Sequence, residues 1–252
     1  MDILWHELEA NRYQLDYYAI TICKGEIVKK KAYYLLPKEE QNQRIGQFGL
    51  DYLIDNGMLR CFSVGVDNTD SAMKYDFHLQ TDFCELAYDV FSDGIEFFEV
   101  DKVNKVASII ANNQLSWVNR IVGCRIKENN LQNICIYFSC IDEEEYSQVQ
   151  NVIEKIFCEL SMNINNATVF TGENSWLHLV ALDFFSDFYK IKLYFKFKKE
   201  YNVQQILKKF KDTNNYGAVQ KIVESNAFIE GIQVSITKNQ KVSYCFYLKK
   251  KD

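Results

Sequence analysis

Stretches in which apolar and polar residues alternate occur in pairs along the chain, and a short polar turn joins each pair. Period-two alternation rich in β-branched and aromatic residues is typical of β-hairpins. The pattern predicts five hairpins, with strands at 15–23 and 27–36, 59–66 and 72–80, 118–126 and 131–140, 176–185 and 188–198, and 228–236 and 240–250. Their regular recurrence indicates one supersecondary unit repeated five times.

Segments with helical periodicity lie between these hairpins. They cover residues 39–56, 81–113, 142–162 and 202–225. The second segment is predicted to hold two helices broken near Asp93-Gly94, and the fourth to break at Asn214-Asn215. Helices therefore alternate with hairpins along the whole chain.

Ten antiparallel strands in an open sheet would leave two exposed edges, and closure into a barrel removes them. The helices would then cover the outside, and a ten-stranded interior is wider than side chains alone can fill, so a central chamber is expected. The predicted fold class is α/β: a ten-stranded antiparallel β-barrel of five hairpins surrounded by helices. No Pro-, Gly- or Ser-rich linker interrupts the pattern, which predicts a single domain over residues 1–252.

Composition narrows the functional classes. Apolar residues make up 48% and charged residues 25% of the 252 residues, which argues against disorder. A net charge of −5 argues against nucleic acid as a partner. No apolar run marks a signal peptide or a membrane span, so a cytoplasmic protein without a membrane partner is expected. P-loop, GxGxxG, GxSxG and DDxxD motifs do not occur in the sequence.

Lysine and tyrosine alternate along the second strand of several hairpins. The pattern runs Lys29-x-Lys31-x-Tyr33, Lys74-x-Asp76-x-His78 and Lys190-x-Lys192-x-Tyr194-x-Lys196, with Tyr137 and Tyr244 at similar positions in the other two hairpins. Residues two apart on a strand share a face, so ammonium and hydroxyl groups would line one surface between aromatic walls. Such a surface suits a diphosphate, and its rings suit a carbocation.

The same alternation also fits a strand that is half exposed to solvent. If helices cover the outside of the barrel, however, the outward residues of the fourth hairpin should be the apolar ones. These are Ile191, Leu193, Phe195 and Phe197. His178, isolated on its strand, is expected to pack as a barrel histidine rather than to bind a metal.

The repeat and its motifs resemble the ABBA-type, or PT-barrel, prenyltransferases, and most closely the peptide prenyltransferases of cyanobactin (RiPP) biosynthesis. Three segments carry the resemblance: residues 63–79, residues 180–194, and the first hairpin, which has an acidic residue on one strand and a basic residue on the next. The architecture is similar over essentially the whole chain.

The resemblance implies a cytoplasmic, monomeric transferase that uses Mg²⁺ and moves a dimethylallyl or geranyl group from its diphosphate to a side chain of a ribosomal peptide. Asp16 would be the catalytic base. The donor diphosphate would be bound by Lys31, Lys74, His78, Lys192, Lys196, Tyr33, Tyr194, Tyr137 and Tyr244. No residue of this sequence is assigned as a direct metal ligand.

Two positions depart from the family pattern. His78 stands where these enzymes commonly place an arginine, which weakens one anchor because neutral histidine does not replace a permanent cation. Asp16 aligns with the family's glutamate only within one residue, so Tyr17 is the alternative for that position. Two other functions stay open: transfer to a small phenol or indole, and a catalytically silent barrel that binds a ligand.

Overall fold

The computed structural model describes residues 14–35, 57–60, 66–67, 73–79, 98–115, 117–127, 130–140, 146–164, 170, 174–198, 202–225 and 228–249. Within these residues the strands are β1 (Gln14–Cys23), β2 (Glu26–Leu35), β3 (Gly57–Arg60), β4 (Val66–Asp67), β5 (Met73–Leu79), β6 (Trp117–Lys127), β7 (Asn130–Cys140), β8 (Ser175–Phe185), β9 (Tyr189–Phe197), β10 (Phe228–Thr237) and β11 (Val242–Lys249).

In the described part of the chain, four helices lie between the strands: α1 (Val100–Asn112), α2 (Tyr146–Glu159), α3 (Val203–Phe210) and α4 (Tyr216–Glu224). Asn202 caps α3, because its side-chain oxygen accepts a hydrogen bond from the backbone N–H of Gln204 at 2.9 Å. The predicted break between α3 and α4 is confirmed. The predicted helix at 39–56 and the first part of 81–113 lie outside the described residues. No helix in the described part of the chain is long and apolar enough to cross a membrane.

All described strands belong to one antiparallel sheet in the order β3-β5-β6-β7-β8-β9-β10-β11-β1-β2-β4. Four of the five predicted hairpins are confirmed, and consecutive hairpins pair side by side. The second hairpin differs from its prediction, because the segment predicted as one strand at 59–66 is described as two. β3 pairs with β5, whereas β4 pairs with β2. A closed barrel of ten strands therefore stays a prediction.

The two faces of the sheet differ in what they contact. The outer face packs against the four helices and forms the hydrophobic core. Phe210 of α3 lies 6.2 Å from Phe246 of β11 between ring centroids, and the four apolar residues predicted to point outward on β9 are all buried. The inner face lines a cavity. Helices cover the sheet on the side where apolar side chains recur, as expected from the alternation.

One end of the sheet is fixed by the turn between β1 and β2. Gly25 has a φ of +87°, and its N–H donates a hydrogen bond of 2.8 Å to Oδ1 of Asn215. A Cβ at this position would lie 2.6 Å from the carbonyl oxygen of Asn214. Glycine is therefore required both by the backbone conformation and by the close approach of the α3–α4 connection.

Candidate functional site

Side chains from eight neighbouring strands contribute to one curved inner surface. In the order of the sheet these strands are β6, β7, β8, β9, β10, β11, β1 and β2. This surface encloses two adjoining cavities. We call them the cationic half, of about 140 Å³, and the aromatic half, of about 500 Å³. Lys192, Gln233 and Tyr247 line both halves, so the two are continuous at these residues.

The cationic half brings together basic side chains from three strands. They are Lys29 and Lys31 of β2, Arg125 of β6, and Lys190 and Lys192 of β9. Asp183 of β8 is the carboxylate that lines this half within the described residues. Five basic groups thus surround a single acidic group, an excess of positive charge that favours a polyanionic ligand.

Asp183 is fully buried and lies at the centre of a network of polar contacts. Its Oδ2 lies 2.6 Å from Nζ of Lys192 and 3.2 Å from Nζ of Lys190, and Nδ2 of Asn133 donates a hydrogen bond to Oδ1. Burial opposes ionisation of this carboxyl, but the charges of Lys192 and Lys190 prevail and lower its pKa to about 2. Asp183 is therefore ionised at neutral pH.

Lys31 faces a different electrostatic environment. Burial, reinforced by the positive charges of Lys29, Arg125 and Lys192, lowers its pKa well below the usual value. The folded structure holds Lys31 close to the positive charges of Lys29, Arg125 and Lys192, and their mutual repulsion raises the free energy of the folded state. A bound anion would relieve that repulsion, which is the electrostatic signature of an anion site.

Tyrosine rings form the wall of the aromatic half and of its junction with the cationic half. The Tyr17 ring stacks on that of Tyr33 with centroids 4.4 Å apart, and the Tyr247 ring meets Tyr17 at 5.5 Å and Tyr194 at 5.1 Å. Tyr247 also donates a hydrogen bond of 3.0 Å to Oε1 of Gln233. These contacts fix the ring faces, and such faces attract a cation held close to them.

A glycine on the neighbouring strand makes room for one of these rings. A Cβ at Gly231 would lie 2.9 Å from the hydroxyl oxygen of Tyr194 and 2.5 Å from the carbonyl oxygen of Phe195. The register of β10 against β11 shifts between Ile229 and Gly231, so a β-bulge occurs beside this residue. The absence of a side chain therefore lets Tyr194 lie against the β10 backbone.

His178 lines the aromatic half at a second irregularity, where the pairing of β8 with β9 shifts between Leu177 and Leu179. Its ring lies 5.8 Å from that of Tyr194 and 6.5 Å from that of Trp176. Burial, followed by the charge of Lys196, lowers the pKa of His178 to about 4. The imidazole is therefore neutral at neutral pH and has a lone pair that can accept a proton.

Six of the residues predicted to bind the diphosphate lie together on the inner surface. Lys31 and Tyr33 line the cationic half, Lys192 lines both halves, and Tyr137, Tyr194 and Lys196 line the aromatic half. Their roles stay predictions. Lys196 and Tyr137 line the aromatic half alone, away from the basic cluster of the cationic half.

Tyr244 was predicted on the inner face, and this placement is wrong. It is buried in the outer core, where its ring lies 4.9 Å from that of Phe210 and edge-on to it. The inner residues of β11 are Ser243, Cys245 and Tyr247. Alternation along the strand puts Tyr247, not Tyr244, in the cavity.

Three predicted residues have side chains outside the described part of the molecule. Asp16 lies on β1 where the register against β2 shifts between Leu15 and Tyr17. Lys74 is paired through the backbone with Arg125, and His78 with Ile121. Tyr17, the alternative to Asp16, lines the aromatic half.

Sequence reasoning did not assign a role to Asp183, Arg125 or Tyr247. Asp183 lies inside the motif at residues 180–194, but nothing in the sequence of this lysine-rich hairpin indicates that its carboxylate lines the cavity. Arg125 follows the inward alternation of β6 and could have been found from the pairing of its strand. Tyr247 could have been predicted as a cavity residue only if the inner face of β11 had been assigned correctly.

The geometry can be compared with known proteins. No family model matches the chain, and no curated protein matches it. Among solved structures, 5-dimethylallyltryptophan synthase from Streptomyces coelicolor superposes with a TM-score of 0.57 at 8% identity, covering 92% of this chain and 80% of that one. The 6-dimethylallyltryptophan synthase from Micromonospora olivasterospora, in complex with DMASPP and Trp, gives 0.43 at 9% identity, over 93% of this chain and 59% of that one. The first comparison shows that this chain has the fold of a dimethylallyltryptophan synthase.

Magnesium, which the resemblance implies, finds no ready ligand set on the described inner surface. The described residues contain no group of three or more His, Cys, Asp or Glu side chains placed to hold a metal ion. Both oxygens of Asp183 already contact nitrogen donors, and the groups around it are cations. These side chains do not fit a magnesium site, so the requirement for Mg²⁺ stays a prediction.

Proposed function

We propose that the protein transfers an isoprenyl group, dimethylallyl or geranyl, from its diphosphate to an aromatic acceptor. One observation carries this proposal: a cluster of buried cations opens directly into a chamber walled by tyrosines, with Lys192, Gln233 and Tyr247 shared between them. An allylic diphosphate has the same division into a polyanionic head and an apolar tail that becomes cationic. The fold shared with a dimethylallyltryptophan synthase supports the same class of reaction.

The diphosphate is assigned to the cationic half. An alkyl diphosphate carries about three negative charges near neutral pH, and five basic groups against one carboxylate can neutralise it. Lys192 is placed to act on the bond that breaks, because it lines both halves. Lys31 gains most from the anion, since burial, and after it the positive charges of its neighbours, disfavour its own charge.

The prenyl chain and the acceptor are assigned to the aromatic half. Its volume of about 500 Å³ accommodates a C5 or C10 chain beside an aromatic ring. The rings of Tyr17, Tyr194 and Tyr247 present surfaces that exclude water and stabilise an allylic cation. A small indole or phenol fits this chamber as well as a peptide side chain, and the shared fold favours the small aromatic acceptor over the cyanobactin-like peptide.

The reaction balances without an external oxidant or reductant. The bond between the first prenyl carbon and the diphosphate oxygen breaks, the electron pair stays on that oxygen, and the lysines stabilise the negative charge of the departing diphosphate. The acceptor ring supplies the electrons for the new bond to the prenyl carbon. The proton that the ring then loses passes to a base.

Two residues are proposed as that base. The resemblance assigns it to Asp16, whose backbone lies at the β1 irregularity. Within the described side chains, His178 has the required properties, because it is neutral and lines the chamber in which the acceptor would lie. Variants of each separate these assignments: the true base lowers kcat when replaced and leaves donor binding unchanged.

The test is product formation followed by mass spectrometry. Purified protein is incubated with dimethylallyl, geranyl or farnesyl diphosphate and with tryptophan, tyrosine, or short linear and cyclic peptides that contain them, with and without Mg²⁺. A product heavier by one prenyl unit on the free amino acid establishes the proposed reaction, and one found only on peptides restores the peptide acceptor. Diphosphate binding without any transfer favours the ligand-binding barrel. The absence of both diphosphate binding and prenyl transfer overturns the proposal.

A further inference from the structure

The buried carboxylate of Asp183 needs an explanation in a cavity proposed to bind a polyanion. It points into the cationic half and lies among the groups that would hold the diphosphate. A negative charge at this place repels the ligand. A fully buried ion is also costly unless it is closely paired, so its role must lie in what it does to its partners.

Asp183 contacts Lys190 and Lys192, two of the three lysines of β9, through one oxygen atom. Oδ2 lies 2.6 Å from Lys192 and 3.2 Å from Lys190, while Oδ1 accepts from Asn133 of β7. In the sheet, Asp183 is the direct cross-strand neighbour of Lys190 and also pairs with Cys135 on the other side. The carboxylate is thus fixed from both flanking strands, and each lysine is fixed by the carboxylate.

The charges around this group are arranged so that the lysines need a counter-charge. The other titratable and charged groups facing the same half of the cavity are Lys190 and Lys192 of β9, Cys135 of β7, Lys29, Lys31 and Tyr33 of β2, Arg125 of β6, and Cys245 and Tyr247 of β11. Burial lowers the pKa of Lys190, and Asp183 acts against that shift while Lys192 adds to it. Among its neighbours, Asp183 contributes most to the charged form of Lys190.

We propose that Asp183 is a positioning residue for the donor: its carboxylate is the counter-charge that holds Lys190 and Lys192 in place, and it gives up Lys192 to the diphosphate when the donor binds. This inference rests on the proposed function. It assigns Asp183 no contact with the reacting atoms. Its effect reaches the diphosphate only through the two lysines.

The proposal predicts an effect that depends on pH. In Asp183→Asn the contribution that raises the pKa of Lys190 is lost, so the lysine loses its proton at a lower pH than in the wild type. At about pH 6 the variant should bind inorganic diphosphate within about threefold of the wild type, because the lysines are still charged and a repelling carboxylate is gone. At about pH 9 it should bind at least about tenfold more weakly than the wild type.

The measurement is isothermal titration calorimetry with inorganic diphosphate at several pH values. The ratio of variant to wild-type Kd at each pH removes the titration of the ligand itself. Asp187→Asn is the matched control, because Asp187 is an exposed residue in the turn of the same hairpin, and its ratio should be one throughout. Circular dichroism and the melting temperature establish that each variant is folded.

The outcomes separate the inference from the proposed function. If the wild type binds no diphosphate at any pH, both fall. If it binds, and the Asp183→Asn ratio is the same at every pH, Asp183 has a structural role alone and the inference is overturned. Should Asp183→Asn fail to fold, Lys190→Met provides the test. In this variant Lys192 is the only lysine that Asp183 still contacts among the two. The ratio of the variant's Kd to the wild-type Kd should therefore not grow with pH, and a ratio that grows overturns the inference.

Discussion

The cationic and aromatic halves of the cavity are built by different means. In the cationic half, directed contacts between charged groups fix the side chains, as in the contacts of Asp183 with its two lysines. In the aromatic half, packing fixes the rings, as in the stack of Tyr17 on Tyr33. The difference indicates that damage to the first half should affect ligand binding, whereas damage to the second should affect the chemical step.

The largest effect is expected from Lys192→Met, because this residue lines both halves. Removing the charge should weaken donor binding and lower kcat/KM by about a hundredfold or more, since a charge-assisted contact to the leaving group is lost. Steady-state kinetics with the donor that passes the product assay gives the measurement. Lys221→Met, at an exposed position of α4, is the control and should leave kcat/KM unchanged.

The next effect separates the two faces of a single strand. Tyr247→Leu should lower kcat about thirtyfold with little change in diphosphate affinity, because a ring face beside the proposed carbocation is lost. Tyr244→Leu should leave kcat intact but lower the free energy of unfolding by about 2 kcal/mol, because its contact with Phe210 belongs to the outer core. Equal effects of the two substitutions on kcat would contradict the division into inner and outer faces.

A smaller effect is expected from His178→Gln, about tenfold on kcat if His178 accepts the proton. The same variant tests its protonation state. The folded pKa of about 4 lies below the unfolded value of 6.5, so the unfolded chain binds more protons between these values. Stability should therefore fall as the pH drops from 6.5 towards 4. The melting temperature of His178→Gln should therefore change less with pH over this range than that of the wild type. The same pH dependence in both proteins would show that His178 does not titrate as described.

The smallest effect is expected from metal removal. Because the described cationic half already balances the charge of a diphosphate, EDTA should weaken donor binding by less than about threefold. Titration of the donor with and without EDTA measures this change. Complete loss of donor binding in EDTA would show that Mg²⁺ completes the site, as the resemblance implies.

Much of this architecture could be predicted because the outer residues of the hairpins are so consistently apolar. On β9 every second residue is apolar and buried, and the lysines and Tyr194 necessarily share the other face. The inner face of β11 is harder to predict. Tyr244, Phe246 and Tyr247 put aromatic rings on both faces of this strand, so composition does not distinguish the inner face from the outer one. Asp183 could not be predicted as a partner of Lys192, because that contact depends on how far the side chains reach across β8 and β9.

The burial of the outer core has a consequence for how such a protein can change over generations. The main hydrophobic core lies between the sheet and helices α1 to α4, and the residues that line the cavity lie on the opposite face. Most substitutions on the inner face therefore leave the main stabilising contacts untouched. A lineage built on this scaffold could exchange Tyr137 or Leu179 and so reshape the cavity without first acquiring compensating mutations in the outer core.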